Sequence, residues 1–494
     1  MKTNQQNHKR WLYVVTGLVI LSGTLISAWI FIYNQNAEPV IAFTDVNLIP
    51  MTSETVLYNQ TVLVRGTEIV EIGDAKAVNI PWGAQVIDGQ GAYLMPGLAD
   101  MHAHTRETAQ PWEDPEVWPV HPLNLYLANG VTTIRDLSAM DETGAYPLQL
   151  REEIREGTRI GPTIYTAGES LYSSPLGDPA GLVRQNHEQG FDLLKIYPYL
   201  SVDDFQAAMR EARELGTYTI GHIPYAVGLE GVLVEGMDEI AHAEELVWEF
   251  AELDRSRQLS PQEWGPYLFQ AIRNTILTSN PSLAEMKIEN QSTLERMANQ
   301  LQAAGVSVCT TMDVAETIGM KLFQPEAFLA RPENRYLDPR YVESIRRGEE
   351  YHQIISRGWE DVFALEYDID TWILASLHEA GVQLVLCTDA IGGIGIVPGF
   401  SIHDELRILV ENGFTPYQAL LTGTVNAANV VERMTGEGNF GTIEIGNRAD
   451  LILVMGNPLE DITTIREPLG VMAAGRWYSA EQLSQLIEIP EPTE

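Results

Sequence analysis

Apolar residues recur along this chain in three rhythms, and the changes of rhythm divide it. Residues 11–33, WLYVVTGLVILSGTLISAWIFIY, run for 23 positions without a charge, long enough to cross about 30 Å of hydrocarbon as a helix. Trp11 and Tyr13 at one end and Trp29 and Tyr33 at the other suit the two membrane interfaces, and Lys2, Lys9 and Arg10 precede the run. The positive charge predicts a cytoplasmic tip and an extracytoplasmic body. A cleaved signal peptide fits less well, because the run is long and no small-residue cleavage site follows it. Residues 1–35 are therefore read as a tip and one uncleaved N-terminal transmembrane anchor.

Residues 36–92 alternate apolar and polar positions with glycine punctuation, as in TVLVRGTEIVEIG, which predicts short strands. The stretch GTIEIGNRADLILVMGNPLEDI returns to that pattern, and residues 437–485 are expected to join 36–92 in one small β-sandwich built from both chain ends. Between them, residues 93–436 alternate apolar, strand-like runs with longer helical stretches. The runs are YLMPGLADMHAH, VTTIRDL, TIYTAG, DLLKIY, YTIGHI, EIAHAE, VSVCTTM and VQLVLCTDA. Buried parallel strands read this way, and eight with helices between them predict a (β/α)8 TIM barrel. Long connections at 246–300 and 313–380 are expected to sit at its active face as lids or specificity elements.

The net charge of −37 argues against nucleic acid as a partner, which requires a basic footprint. It fits a solvated acidic surface, with attraction of cationic substrates or metal ions as the sharper alternative. Cys309 and Cys387 lie in apolar runs and are read as two small buried residues rather than ligands or a disulfide framework.

The chemistry gathers at the ends of the predicted strands, where barrel enzymes keep their sites. His102 and His104 close the first run, and at a spacing of two on an extended chain both point to one face. Lys195 ends the fourth run in an apolar setting that disfavours an ammonium group. His222 ends the fifth run, His242 the sixth and Asp389 the eighth. Each alone reads as a satisfied buried polar residue; six in register with strand ends read as a site. Tyr197, Tyr225, His121 and Arg135 lie near enough in the pattern to touch a substrate, although packing or loop roles serve them equally.

These pieces resemble the amidohydrolase superfamily, in particular its imidazolonepropionase-like and prolidase-like branches. PGLADMHAH, GHIPYAVGLEGVLVEGMDEIAHAEE, CTDA, LTGTVNAANVV and GNRADLILV carry the resemblance, which runs from about residue 85 to 457. It implies a barrel flanked by a small β-sandwich. It also implies two divalent metal ions, best suited by zinc: His102, His104 and Asp389 on one, His222 and His242 on the other, with Lys195 as a carboxylated bridge. Without that carboxylation a single ion is expected. Two ions would activate one water and polarise a carbonyl, with Asp389 carrying the proton to the leaving amine.

The reading is a metal-dependent hydrolase of a carbon–nitrogen bond in a small molecule, with a dipeptide or N-acyl amino acid as leading substrate and a cyclic amide second. Ester or phosphotriester hydrolysis, or a catalytically silent extracytoplasmic binding protein, are the alternatives from other classes. Oligomeric state stays open.

Overall fold

The computed structural model describes residues 38–106, 118–137, 145–277, 282–348, 358–390 and 394–489. Its centre is a ring of parallel strands: β1 (Leu98–Ala103), β2 (Val131–Asp136), β3 (Thr163–Thr166), β4 (Leu193–Tyr199), β5 (Tyr218–Gly221), β6 (Glu239–Ile240), β7 (Ser307–Cys309) and β8 (Leu384–Val385). Hydrogen bonds pair β1 through β3 and β4 through β8 in sequence order. Bridges from Ala167 to Leu193 and from Ala103 to Ala390 join the two arcs. The ring also closes where Met101 N–H donates to Leu386 O at 2.9 Å and Asp389 N–H to His102 O at 2.7 Å.

Every residue of β1 and β2 is buried, because helices cover the outer faces of the strands and side chains fill the interior. The helix Val202–Leu215 shows how a cover is made. Ser201 caps its start, Gly216 ends it in the left-handed conformation, and Phe205, Ala208, Met209 and Ala212 form its buried stripe, at the i, i+3, i+4, i+7 spacing of one helix face. At the other pole Leu193, Ile220 and Val385 pack with Val430 and Val431 of the helix Val425–Thr435.

Both chain ends build a second sheet of eight strands. Tyr93–Pro96 from the N-terminal side pairs antiparallel with Leu451–Val454 from the C-terminal side, which ties the ends together. A sandwich of two facing sheets was expected; the hydrogen bonds instead run through one sheet. The long strand Val40–Leu48 takes Gln85–Asp88 along its first half and Tyr93–Pro96 along its second. Its register shifts between Phe43 and Val46, where Asp45 adopts a φ of 50°, and such an irregularity bends a strand so that one edge can serve two neighbours.

Among the described residues no helix is long and apolar enough to cross a membrane. The longest, Leu283–Ala304, carries Glu285, Lys287, Glu289, Glu295 and Arg296. The expected transmembrane helix is corrected accordingly: the described residues form a mixed α/β fold whose parallel strands close in a ring. The run 11–33, on which the helix, the anchor and the membrane contact are read, lies outside the described residues. The cysteines need correcting too. Cys309 on β7 and Cys387 just beyond β8 are fully buried and joined as a disulfide, their Cα atoms 5.4 Å apart, because neighbouring parallel strands bring residues 78 positions apart side by side.

Candidate metal centre

The strands carry the six expected residues to one region of the barrel. His102 lies in β1, and Lys195 lies inside β4, third of its seven residues and not at its end as expected; His104 and His222 follow β1 and β5 directly, His242 comes two residues after β6 and Asp389 four after β8. Asp389 holds a φ of 58°, a left-handed conformation that costs a non-glycine residue energy and tends to persist where function needs it. Its Oδ1 lies 2.7 Å from His104 Nε2 and 3.0 Å from His102 Nε2. Lys195 Nζ approaches His102 Nε2 at 3.5 Å. The rings of His242 and His102 are 4.8 Å apart and those of His222 and His242 4.7 Å.

Backbone and carboxylate groups hold the imidazoles from behind. His102 donates through Nδ1 to the Ala241 carbonyl at 3.3 Å. His222 donates through Nδ1 to Glu245 at 2.5 Å, and Glu245 also accepts from Ile223 N–H at 2.7 Å. His242 Nδ1 lies 3.0 Å from Glu244. With Nδ1 engaged outward, Nε2 is the atom left for an ion, the arrangement by which outer carboxylates orient metal-binding histidines. Glu244 and Glu245 were missed in the sequence reading, although their signal lay in the IAHAEE run that ends at them.

Burial holds His102 well below its ordinary pKa and brings His222 to about 4, so both are neutral imidazoles, the form that binds metals. Burial would raise Asp389, but His102 and His104 hold it well below the carboxylate range. Burial also pushes Lys195 down to about 8. His242 moves the other way: burial opposes its charge, and Glu244 still raises it.

This donor set fits a cation. His102 Nε2 lies 3.0 Å from Asp389 Oδ1 and 3.5 Å from Lys195 Nζ, so an imidazole, a carboxylate and an amine converge on one point. One ligand atom each from His102, His242 and Asp389 fall within 4.8 Å of one another, and imidazole with carboxylate suits zinc best among common ions. A second group of ligand types, Glu239, Cys309 and Cys387, lies deeper, but its cysteines are bonded to each other and Glu239 is taken by Arg135.

The four residues expected near a substrate fare differently. Tyr197 does face the centre, its ring 5.1 Å from the His222 ring. Arg135 does not: it is fully buried and forks onto both oxygens of Glu239 while its Nε donates to the Met101 carbonyl at 2.7 Å. Tyr225 donates to the carbonyl of Asp254 and packs on Tyr267, pinning the long connection after β6. His121 caps the helix Pro122–Ala128 by accepting from Leu123 N–H and meets Tyr146 OH at 3.2 Å. From His222 a train of rings leads outward through Tyr197, Tyr172, Tyr199, Trp264 and Trp248 to Phe269. The last three belong to the 246–300 connection.

The amidohydrolase family model matches residues 93–478. Ochratoxinase of Aspergillus niger is 24% identical over 404 residues, which cover 76% of this chain and 73% of that protein. A solved Xaa-Pro dipeptidase with methionine bound in its active site superposes with a TM-score of 0.61 at 19% identity, over 89% of this chain and 100% of its own. Molinate hydrolase superposes with a TM-score of 0.62 at 17% identity, over 93% and 99%. At such identities the structural likeness speaks for the fold alone.

Proposed function

Since the chain belongs to the amidohydrolase family and is a hydrolase of carbon–nitrogen bonds, we propose that it cleaves the amide or peptide bond of a dipeptide or N-acyl amino acid. His102, His104 and Asp389 would hold one divalent ion, His222 and His242 a second, with Lys195 between them as its carbamate. Zinc suits the set best. Ions bound there supply Lewis-acid polarisation of a carbonyl and acidification of water.

The chain's own residues supply the rest. Asp389, ionised at neutral pH because two imidazoles face it, accepts a proton from the attacking water and returns it to the leaving nitrogen. Glu245 keeps the His222 ring in one orientation and one tautomer. Tyr197 flanks the centre and lines the approach. The observation that carries this reading is the convergence of one ligand atom each from His102, His242 and Asp389 within 4.8 Å.

The test is elemental analysis of the full chain together with a screen of the zinc-loaded protein against dipeptides and N-acyl amino acids. Wild type is expected to hold about two ions and to release free amino acid, and His102→Ala to lose metal and activity together. Bicarbonate should speed reconstitution of the metal-free protein if Lys195 becomes a carbamate. Full activity with no bound metal would overturn the proposal, and so would metal-loaded protein that cleaves no amide in either library.

A further inference from the structure

The strand β7 carries none of the six expected residues, yet the chain beyond it takes an unusual course. Thr311, two residues past the end of β7, is buried and holds a φ of 48°. A β-branched side chain seldom tolerates the left-handed region, and such a residue persists only where its surroundings over-determine it. Here they do. Cys309 of β7 is bonded to Cys387, and Thr311 N–H donates to the Cys387 carbonyl at 3.2 Å. The first two amides of the helix that follows, Met312–Phe323, donate to the two oxygens of Glu405 at 3.1 and 2.8 Å. Glu405 is itself wholly buried, on the helix Phe400–Glu411.

The Glu405 contact changes the part that Thr311 can play. Thr311 stands just before a helix, where a threonine ordinarily turns its hydroxyl back onto the first amides. Glu405 takes those amides instead, and the Thr311 side chain makes no capping bond. Its hydroxyl is turned to the metal centre. It donates to Glu244 Oε2 at 3.0 Å and lies 3.4 Å from His242 Nδ1, while the other oxygen of that carboxylate, Oε1, is 3.0 Å from the same nitrogen.

The two histidines of the β5 and β6 ends are thus backed differently. Glu245, behind His222, is buried and fastened by the Ile223 backbone amide at 2.7 Å. Glu244, behind His242, has 23% of its side chain exposed, and among the described residues its other hydrogen bond comes from Thr311. A partly exposed glutamate turns about several side-chain bonds unless a second contact fixes its carboxylate.

We propose that Thr311 is a positioning residue of the metal centre: its hydroxyl fixes the Glu244 carboxylate behind His242 and so holds that ring with Nε2 left for the ion. The left-handed turn after β7 is what aims the hydroxyl. The inference rests on the amide-hydrolase reading with two ions, and assigns Thr311 to the ion held by His222 and His242.

Zinc affinity of the full-length protein, measured by competition with a chelating dye, tests this. Thr311→Val keeps the shape of the side chain and removes the hydroxyl. It should weaken one of the two binding steps about tenfold, the low end for an outer partner of a metal ligand, and Thr311→Ala should agree with it. Thr311→Ser, which keeps the hydroxyl, should return most of the affinity. Glu244→Gln should weaken the same step, and adding Thr311→Val to it should cost little more, because two residues acting through one contact are not additive. Melting of the metal-free variants by far-UV circular dichroism reports their folding separately. Wild-type affinity in Thr311→Val overturns the proposal even if dipeptides are cleaved. So does equal weakening by valine and serine, or a fully additive loss in the double variant, since either makes Thr311 a packing residue. If zinc affinity follows the hydroxyl in a protein that cleaves no amide, the hydrolase reading falls and the role of Thr311 stands.

Discussion

Two polar layers occupy the inside of the barrel, and they are built on opposite terms. In the lower one, Arg135 of β2 forks onto Glu239 of β6, Tyr218 OH donates to Glu239 at 2.7 Å, and Arg135 Nε takes the Met101 carbonyl. Both charged partners are wholly buried, and each meets an opposite charge. In the upper layer, His102 and His104 gather on the Asp389 carboxylate, and Lys195, brought down to about 8 by burial, stands beside them without a carboxylate of its own in hydrogen-bond range among the described residues. The lower layer pairs its charges within itself. The upper one gathers ligand types, one atom each of His102, His242 and Asp389 within 4.8 Å, the donor chemistry that suits a cation. A buried polar cluster is thus informative through its composition: a self-paired ion pair holds the fold, and converging imidazoles and carboxylate point to a ligand.

The largest expected effect breaks the upper layer. Asp389→Asn should lower kcat/KM by about 10²–10⁴-fold, while the melting temperature of the metal-free protein falls only modestly, by the loss of the contacts with His102 and His104. A large drop in stability would mean that this layer, too, is structural. The lower layer should respond the other way. Arg135→Met leaves Glu239 buried without a counter-charge and should cost about 3–5 kcal/mol of stability, read by chemical denaturation. Adding Glu239→Leu should recover most of the loss, because replacing a whole buried ion pair with apolar side chains is often neutral. No recovery would show that Tyr218 and the strand geometry depend on the pair itself.

A smaller effect sharpens the boundary between the layers. Glu245→Gln keeps a hydrogen-bond acceptor for His222 but removes the charge, and metal affinity should fall about 10–100-fold, measured by competition with a chelating dye, without a change in melting of the metal-free protein. The smallest concerns a residue outside both layers. His121→Ala removes a helix cap and should cost about 0.5–2 kcal/mol with kcat/KM unaltered. A fall in kcat/KM with KM raised would return His121 to the substrate.

Much of the centre was legible before any fold was known. His102, His104, Lys195, His222, His242 and Asp389 each end or follow an apolar run, and each of the eight runs contains one barrel strand. The reason is local: the strand pleat repeats every two residues, so H-x-H shares a face wherever the chain is extended. Glu244 and Glu245 were visible as letters but silent as roles, because a glutamate after a histidine reads as solvent-facing until something shows which ring it backs. Arg135 misled for the same reason. At a strand end it looked available, and only the ring closure that sets β2 opposite β6 revealed Glu239 as its partner, 104 positions away.

The anchor is read from an uncharged run, its aromatic ends and the cations before it, over residues that lie outside those described. The single eight-stranded sheet in place of a sandwich was equally out of reach, since it turns on a register shift at Asp45 that alternation does not encode. By itself the sequence determined the strands, the helix faces and the residue types at the barrel mouth, because propensity, periodicity and capping act over a few residues. Only the tertiary structure decided which of those residues answer one another: that Arg135 is spent on Glu239 and that Cys309 meets Cys387. Those pairings lie 104 and 78 residues apart, and what fixes them is the packing of strands and helices around the closed ring, which no local pattern contains.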